Sequence, residues 1–251
     1  MSRQARLEAV RSQLAVLQGR AGRAGRPVSP FGDSRVDNCL PGGGLPLGCW
    51  HEMAGEGMEI ETAAAAAAFV ALLATPLAGR GEIVWVLRRD DLYAPGLAAL
   101  GFPAERLIQV CVRDEAEALA VLEDALGAAG VAAAIGETET PDLVAGRRLQ
   151  LACERHGATG FVVRRQLFGG EVPHGGSAAT TRWRIAPALS EPAAGEPGLG
   201  PPRWRASLER CRGGRPGAWI MEQSDGSHPV RVVADLGDRQ LDSPQSFRLA
   251  G

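Results

Sequence analysis

Residues 45–69 read LPLGCWHEMAGEGMEIETAAAAAAF, and this stretch decides the fold. It predicts a strand from Cys49 to Met53, a loop over residues 55–62 and a helix over residues 63–73, because an apolar run leads through a glycine-containing turn into consecutive alanines. A strand that passes through such a loop into a helix is the first half of a βαβ unit. The stretch therefore indicates an α/β domain.

The same alternation of strand and helix continues downstream. Apolar runs bounded by charged or glycine-containing segments alternate with stretches in which apolar residues recur every three or four positions. This pattern predicts a mainly parallel sheet with helices on both faces. The predicted strands are 81–89, 107–112, 131–137 and 158–166, and the predicted helices are 92–101, 114–129 and 143–157.

The pattern changes after Leu167, where the glycine-rich segment LFGGEVPHGGSAATT is followed by segments of period two. TRWRIAP, RWRASLERCR and AWIMEQ alternate apolar and polar residues and predict an antiparallel extension. Residues 234–251 are polar and are expected to be ragged. We divide the chain into an N-terminal helix and linker (1–33), a core (34–190) and a basic C-terminal extension (191–251).

The N-terminal segment has its own amphipathic pattern. Residues 2–18 place four apolar side chains on one face of a predicted helix at steps of three, four and three: Leu7, Val10, Leu14 and Leu17. A helix of this length is marginal by itself, so we expect it to dock on the body of the protein or on another chain. The following GRAGRAGRPVSP is typical of a linker.

The charge of the chain is segregated. Residues 1–35 carry seven arginines against two acids, residues 160–217 carry nine against four, and residues 36–159 carry eight against eighteen. Two basic segments around an acidic centre can bind an anionic partner such as nucleic acid, or they can be ordinary solvated surface. All 27 basic residues are arginine, so a GxxxxGK[ST] phosphate loop cannot exist in this chain.

Several classes of site are disfavoured. No apolar run reaches the length of a membrane span, and the N-terminus lacks the apolar segment of a signal peptide, so we expect a cytoplasmic protein without membrane contact. The cysteines and histidines lack metal-ligand spacing, and no GxSxG motif occurs. Asp90 and Asp91 follow a predicted strand and are interpreted as a helix cap. We expect no metal, no cofactor and no catalytic residue.

LPLGCWHEMAGEGMEIET resembles the entry to the RecA core, in which the first strand ends in the phosphate loop. On this resemblance Gly55 takes the first glycine position and Thr62 the position of the magnesium-binding hydroxyl. Ile60 replaces the second glycine and Glu61 replaces the lysine. A β-branched residue opposes the tight turn, and a carboxylate repels a triphosphate, so the loop is expected to be degenerate.

The resemblance to RecA extends along the core, over roughly residues 34–190 by the same order of strands and helices. Gly136, followed by Glu137, stands where the family has a magnesium-ligating aspartate, and Arg89 lies near the position of its catalytic glutamate. Gln166 matches the glutamine that couples nucleotide to the DNA-binding loop. The resemblance therefore implies a RecA-like scaffold whose reaction centre is altered.

With the N-terminal helix, the PGGGLPLG turn, the DLYAPGLAALG segment and RWRASLERCRGGRPGAW, the chain resembles the ImuA family of bacterial SOS mutagenesis proteins. That resemblance implies a damage-inducible translesion complex near the nucleoid. It implies as partners an ImuB-like relative of Y-family polymerases and an error-prone replicative-type DNA polymerase, with RecA as a further candidate. Direct DNA binding is expected to be weak or indirect.

Basic residues near the glycine-rich segment and in the extension are the candidates for binding DNA or a protein partner. Trp183 and Trp204 lie in RWR triplets, and we favour ordinary strand alternation with each ring packed inward. For the arginines two interpretations stand: they contact phosphates of a nucleic acid, or they are ordinary solvated surface. The candidates are Arg164, Arg165, Arg182, Arg184, Arg205, Arg210, Arg212 and Arg215.

Two other functions compete with a non-catalytic adaptor. A cell-division inhibitor of the SulA type also resembles a RecA core without a phosphate loop, but the segment 167–181 and the basic extension exceed what such an inhibitor requires. An active recombinase or ATPase is opposed by Glu61 and by the absence of lysine.

Overall fold

The computed structural model describes residues 26–139, 141–165, 177–192, 195, 197–224 and 226–236, without the side chains of residues 59–61. Within them the strands are β1 (Val28–Ser29), β2 (Leu45–Pro46), β3 (Trp50–Gly55), β4 (Glu82–Leu87), β5 (Leu107–Cys111), β6 (Val131–Thr138), β7 (Thr159–Arg164), β8 (Thr181–Ala188), β9 (Arg203–Cys211), β10 (Gly217–Gln223) and β11 (Val230–Asp235). The α-helices are α1 (Ser34–Asp37), α2 (Glu59–Ala74), α3 (Ala94–Ala99), α4 (Glu115–Leu126) and α5 (Leu143–His156).

One sheet of nine strands organises the described residues, in the order β11-β10-β9-β8-β3-β7-β6-β4-β5. Neighbouring strands are parallel from β8 through β3, β7, β6 and β4 to β5. They are antiparallel from β8 to β11. The predicted α/β class, with a mainly parallel sheet and a C-terminal antiparallel part, is confirmed. The antiparallel strands continue the parallel sheet.

Two hydrophobic clusters lie on opposite faces of the sheet. The α2 face buries Met53 with Phe69 and the rings of the RWR tryptophans, and the opposite face buries Trp50 with Leu122 of α4 and Leu149 of α5. Successive residues of a strand point to opposite faces, so Trp50 and Met53 belong to different clusters. Trp183 is fully buried and Trp204 is 3% exposed, which confirms that both rings pack inward.

The glycine-rich turn before β3 depends on its glycines. Gly42 and Gly43 have φ angles of 82° and 79°, in the left-handed region where a side chain is strained. Gly157, which ends α5, has φ 78°. These turns place β2 and the start of β3 beside the start of β7, where Gly160 N donates to Cys49 O at 3.0 Å.

Helix α2 begins earlier than predicted. We expected a loop over 55–62, but the helix starts at Glu59, so Ile60 and Glu61 lie in its first turn. Acidic residues near a helix N-terminus are favoured by the helix dipole, and Glu59 and Glu61 stand there. The expectation that no apolar run reaches the length of a membrane span was wrong, because Thr62–Arg80 is apolar enough and long enough to cross a bilayer. Core helices also pass that test, and 56% of the apolar window is buried inside the protein.

One other sequence interpretation was wrong, and a second was wrong for its first two residues. Asp90 and Asp91 do not cap a helix, because α3 starts at Ala94 with Tyr93 as its N-cap, and Asp91 pairs with arginines instead. The stretch expected to be ragged, 234–251, begins inside β11, which pairs with β10, and its residues 237–251 lie outside the described residues. The alternation of VRVVAD was the signal for that strand.

His51 lies on β3 and is fully buried. Its Nδ1 is 2.7 Å from Thr181 Oγ1, its Nε2 is 2.9 Å from Pro46 O, and its ring lies 5.5 Å from that of Phe161. Burial lowers the pKa of His51 from 6.5 to about 4. The native state therefore holds this imidazole neutral at pH values at which the unfolded chain would already protonate it.

This difference predicts an acid-dependent loss of stability between about pH 6.5 and about pH 4. The unfolded state takes up the proton first, so the free energy of unfolding falls as the pH drops through this window. Urea denaturation should show that the wild-type chain loses about 2 kcal/mol more than His51→Gln between about pH 7 and about pH 5. Equal losses in the two proteins would contradict the assignment.

Candidate functional site

The loop between β3 and α2 lies at the carboxyl end of β3 and is tightly packed. A Cβ atom on Gly55 would lie 2.2 Å from Thr62 Oγ1. The hydroxyl of Thr62 is buried and donates to Met58 O at 3.1 Å. Glu56 Oε2 is 2.7 Å from Arg205 Nη2 on β9. The hydroxyl expected at a metal-binding position thus bonds within its own helix, and the loop is tied to the antiparallel strands.

Arg165 directly follows β7 and joins the ends of two other strands. Its Nη1 lies 2.7 Å from Glu137 Oε2 of β6, and its Nη2 lies 3.0 Å from Asp91 Oδ2, just beyond β4. The Arg165 and Glu137 side chains are only 9% and 3% exposed. Trp85 Nε1 donates to Glu137 Oε1 at 3.1 Å. We call Asp91, Glu137 and Arg165 the Arg165 cluster.

A second buried group of charges lies on the opposite face. Glu52 Oε1 of β3 is 3.1 Å from Arg164 Nη1 and 3.3 Å from Arg182 Nε. The Glu52 and Arg164 side chains are 1% and 3% exposed, and Arg164 Nε also donates to Glu139 O at 3.0 Å. Burial lowers the pKa of Arg164, and the charge of Glu52 opposes that effect. We call Glu52, Arg164 and Arg182 the Glu52 cluster.

Gly136 and Arg89, two further candidate positions near the Arg165 cluster, differ in burial. Gly136 of β6 faces α4, and a Cβ atom there would lie 2.6 Å from Leu122 Cδ2, so the glycine permits close helix packing. Arg89 is 55% exposed, and its Nε lies 3.7 Å from Asp91 Oδ2. The structure brings Glu137 and Arg165 together with Asp91, and it leaves Arg89 at the rim.

The candidate arginines of the antiparallel strands lie outside the core, and several of them are paired. Arg184 Nε is 2.6 Å from Glu209 Oε1, and Arg210 Nη1 donates to Ser177 O at 2.7 Å. Arg212 and Arg215 lie at and beyond the end of β9. Arg205 lies near the other end of β9, beside the β3–α2 loop, so the four arginines follow the length of β9 and the turn after it, whereas Arg164 and Arg165 are buried.

Five of the predicted residues lie outside the described residues. They are Gln166 and the four apolar positions of the N-terminal stripe, Leu7, Val10, Leu14 and Leu17.

Sequence reasoning missed the role of Glu52. The signal was present, because a charged residue inside the otherwise apolar strand WHEMAG must find a partner when the strand is buried. Its partners could not be identified, since Arg164 is 112 positions away. Among the described residues no group of three His, Cys, Asp or Glu side chains is placed to hold a metal ion. The buried charged side chains at these strand ends pair with one another, Arg164 with Glu52 and Arg165 with Glu137.

Comparison with known proteins places these features in a family. The chain is 56% identical over 239 residues to Protein ImuA of Caulobacter vibrioides, in an alignment that covers 91% of this chain and 98% of that protein, and two strains give the same values. A solved structure of SulA from Pseudomonas aeruginosa is similar, with 19% identity, a TM-score of 0.40, and coverage of 46% of this chain and 96% of that one. No family model matches the chain.

The Arg165 cluster predicts a large loss of stability when one partner of a buried ion pair is removed. Arg165→Ala should lower the free energy of unfolding by about 3–5 kcal/mol, because Glu137 would remain buried without its partner. Arg165→Met combined with Glu137→Gln should cost clearly less, since no unpaired charge remains. Urea denaturation measures both, with the exposed change Arg89→Ala, expected within about 0.5 kcal/mol of wild type, as control. A loss in the double variant as large as in Arg165→Ala would contradict the argument.

Proposed function

The chain belongs to the ImuA family, and on this premise we propose that it is a non-catalytic adaptor of an SOS-induced translesion synthesis complex. Membership of the family supports a role in the mutagenesis system. The observation that carries the adaptor role is the Arg165 cluster, in which a buried arginine occupies the carboxyl ends of β4, β6 and β7. Open parallel sheets bind their ligands at that end.

A RecA-like core is part of the proposal. The glycine-rich approach, β3, its loop and α2 follow the order that the resemblance implies, and residues 82–164 form four further parallel strands joined by helical connections. In such a core Arg89, Gly136 and Glu137 stand at the altered catalytic and metal positions. Glu137 is held by Arg165, so its carboxylate is committed to an internal ion pair.

Three features support the absence of ATP turnover. The sequence supplies no lysine for a phosphate, Glu61 stands at the lysine position, and the hydroxyl of Thr62 is bonded to Met58 O. Glu56 adds a carboxylate to the loop and is paired with Arg205. A triphosphate would have to displace these pairs and overcome the repulsion of the carboxylates.

The proposed partners are an ImuB-like relative of Y-family polymerases and an error-prone replicative-type DNA polymerase, with RecA as a further candidate. The complex would work in the cytoplasm at the nucleoid. We place partner binding on the arginines along β9 and in the turn after it, Arg205, Arg210, Arg212 and Arg215, because the chain as a whole has a net charge of -2 and suits DNA poorly. Arg164 and Arg165 are excluded as primary contacts, since each would have to leave a buried carboxylate.

The purified chain is expected neither to hydrolyse ATP nor to bind it with micromolar affinity. Ile60→Gly with Glu61→Lys should still give no efficient ATPase, because the Arg165 cluster would remain at the strand ends. Calorimetry and a DNA-stimulated phosphate-release assay measure the two properties. Turnover in the wild-type chain would refute the non-catalytic role. Substantial turnover in the double variant would show that the other two altered sites, at Arg89 and at Gly136, are less altered than we propose.

The adaptor role predicts a nucleotide-independent complex with the ImuB-like partner. Replacing Arg205, Arg210, Arg212 and Arg215 by alanine should weaken that complex at least about tenfold, a change of about 1.4 kcal/mol in binding free energy. The matched control removes four exposed arginines elsewhere, at positions 106, 113, 147 and 155, and should bind normally.

The salt response separates the two kinds of partner. Each phosphate contact on duplex DNA adds about 0.9 to the slope of log affinity against log salt, whereas a protein interface with an apolar centre responds less. Co-purification and fluorescence anisotropy across a salt series measure both activities. Loss of DNA binding with unchanged partner binding would show that these arginines serve DNA.

A further inference from the structure

An apolar groove runs between α4 and α5 on the outside of the helix layer. Ala116, Leu119 and Ala120 of α4 line it together with Ala145 and Leu149 of α5, and its volume is about 200 Å³. One end is bounded by an ion pair in which Arg148 Nη2 lies 2.6 Å from Glu123 Oε2. Apart from that ion pair the lining is alanine and leucine, so the groove suits the apolar side of a helix.

The outer face of α5 extends this apolar surface. Val144 and Leu151 are 69% and 49% exposed, and they are seven positions apart, which places them on one face of the helix. Contiguous exposed apolar side chains of this size mark a surface that another element covers.

The N-terminal segment enters the described structure beside the same helix. Arg26 Nη2 lies 2.8 Å from Glu154 Oε1 near the C-terminal end of α5. Seven residues, 19–25, separate Arg26 from the predicted helix over 2–18. Extended, they span at most about 25 Å, enough to pass around a helix about 10 Å in diameter and reach the groove.

The segment is long enough to lie along the whole of α4, and its charge is opposite to that of α4. A helix over residues 2–18 is about 25 Å long, and α4, with 12 residues, is about 18 Å long. The segment carries Arg3, Arg6 and Arg11 against Glu8 alone. The α4 wall of the groove carries four acids and no basic residue, whereas the α5 wall is basic, with three arginines against one acid. Opposite charges would therefore favour contact of the segment with the α4 wall.

We propose that residues 2–18 form a helix that docks in the α4/α5 groove of the same chain through Leu7, Val10, Leu14 and Leu17. Entering from Glu154, the helix runs antiparallel to α4 and α5, with Leu17 towards their C-terminal ends and Leu7 towards Ala116. Docking covers the exposed apolar side chains of α5 and supplies the packing that an isolated helix of this length lacks.

The test labels a cysteine placed in the groove of the full chain. Ala120→Cys in a Cys111→Ser background puts a thiol on the groove wall and removes the exposed native cysteine. The docked helix should slow its reaction with a maleimide at least about tenfold relative to the arm variant Leu14→Glu with Leu17→Glu, since a tenfold protection corresponds to about 1.4 kcal/mol of docking free energy.

Two controls isolate the effect. Ala5→Glu with Ser12→Glu adds the same charges to the opposite face of the arm and should retain the protection. Ala98→Cys on α3, also in the Cys111→Ser background, should react with the maleimide at the same rate whether the arm is wild type or carries either pair of glutamates. Equal reactivity at position 120 with the wild-type and Leu14→Glu, Leu17→Glu arms would overturn the proposal.

The dependence of the protection on protein concentration distinguishes docking of the chain's own arm from docking of the arm of a second copy. A short tether gives a millimolar effective concentration, so protection should be constant between about 1 µM and about 100 µM protein. Protection that grows with concentration over that range would show that the groove takes the arm of another copy, and the intramolecular assignment would fall. The outcome does not depend on partner binding at the C-terminal arginines.

Discussion

A guanidinium group buried in a protein must keep a carboxylate partner, because desolvation of an unpaired charge costs several kcal/mol. This constraint organises the carboxyl end of the sheet. Arg164 and Arg165 are consecutive at the end of β7, so their side chains point to opposite faces. Each meets an acid from a neighbouring strand, Glu52 of β3 on one face and Glu137 of β6 on the other. One dipeptide thereby joins three parallel strands on both sides of the sheet.

The same pairs bear on function. A site that turns over a nucleotide needs its charges free for phosphate and metal, and their environment must change during the reaction. Here Glu137 is held between Trp85 Nε1 and Arg165, and Asp91 closes the cluster from the end of β4. These pairs link the ends of β4, β6 and β7 to one another. A scaffold with linked strand ends and surface arginines suits an element that holds partners in position, which is the role we propose.

The sequence was sufficient to predict most of the helices and strands, but not the ion pairs between them. Apolar periodicity located β4, β6, α4 and α5 to within a few residues, because burial of one face imposes it. It failed at the start of α2, where glycine and glutamate suggested a loop, and it gave Asp91 a local capping role when its partner is 74 positions away. The period of the apolar residues shows which face of a helix or strand a side chain lies on. To identify the side chain that it contacts on that face, the order of the strands in the sheet must be known, and the sequence patterns did not give that order.

The exclusive use of arginine connects these points. A lysine ammonium is a compact charge on a flexible stem, whereas a guanidinium presents a planar fork that can hold two carboxylates at once. Arg165 does this between Glu137 and Asp91, and Glu222 is held in the reverse sense by Arg203 and Arg231. Burial opposes the ionisation of Glu222, but the two arginines lower its pKa below the usual value. The composition that removes the phosphate-binding lysine is therefore the same composition that lets this sheet close its strand ends with internal ion pairs.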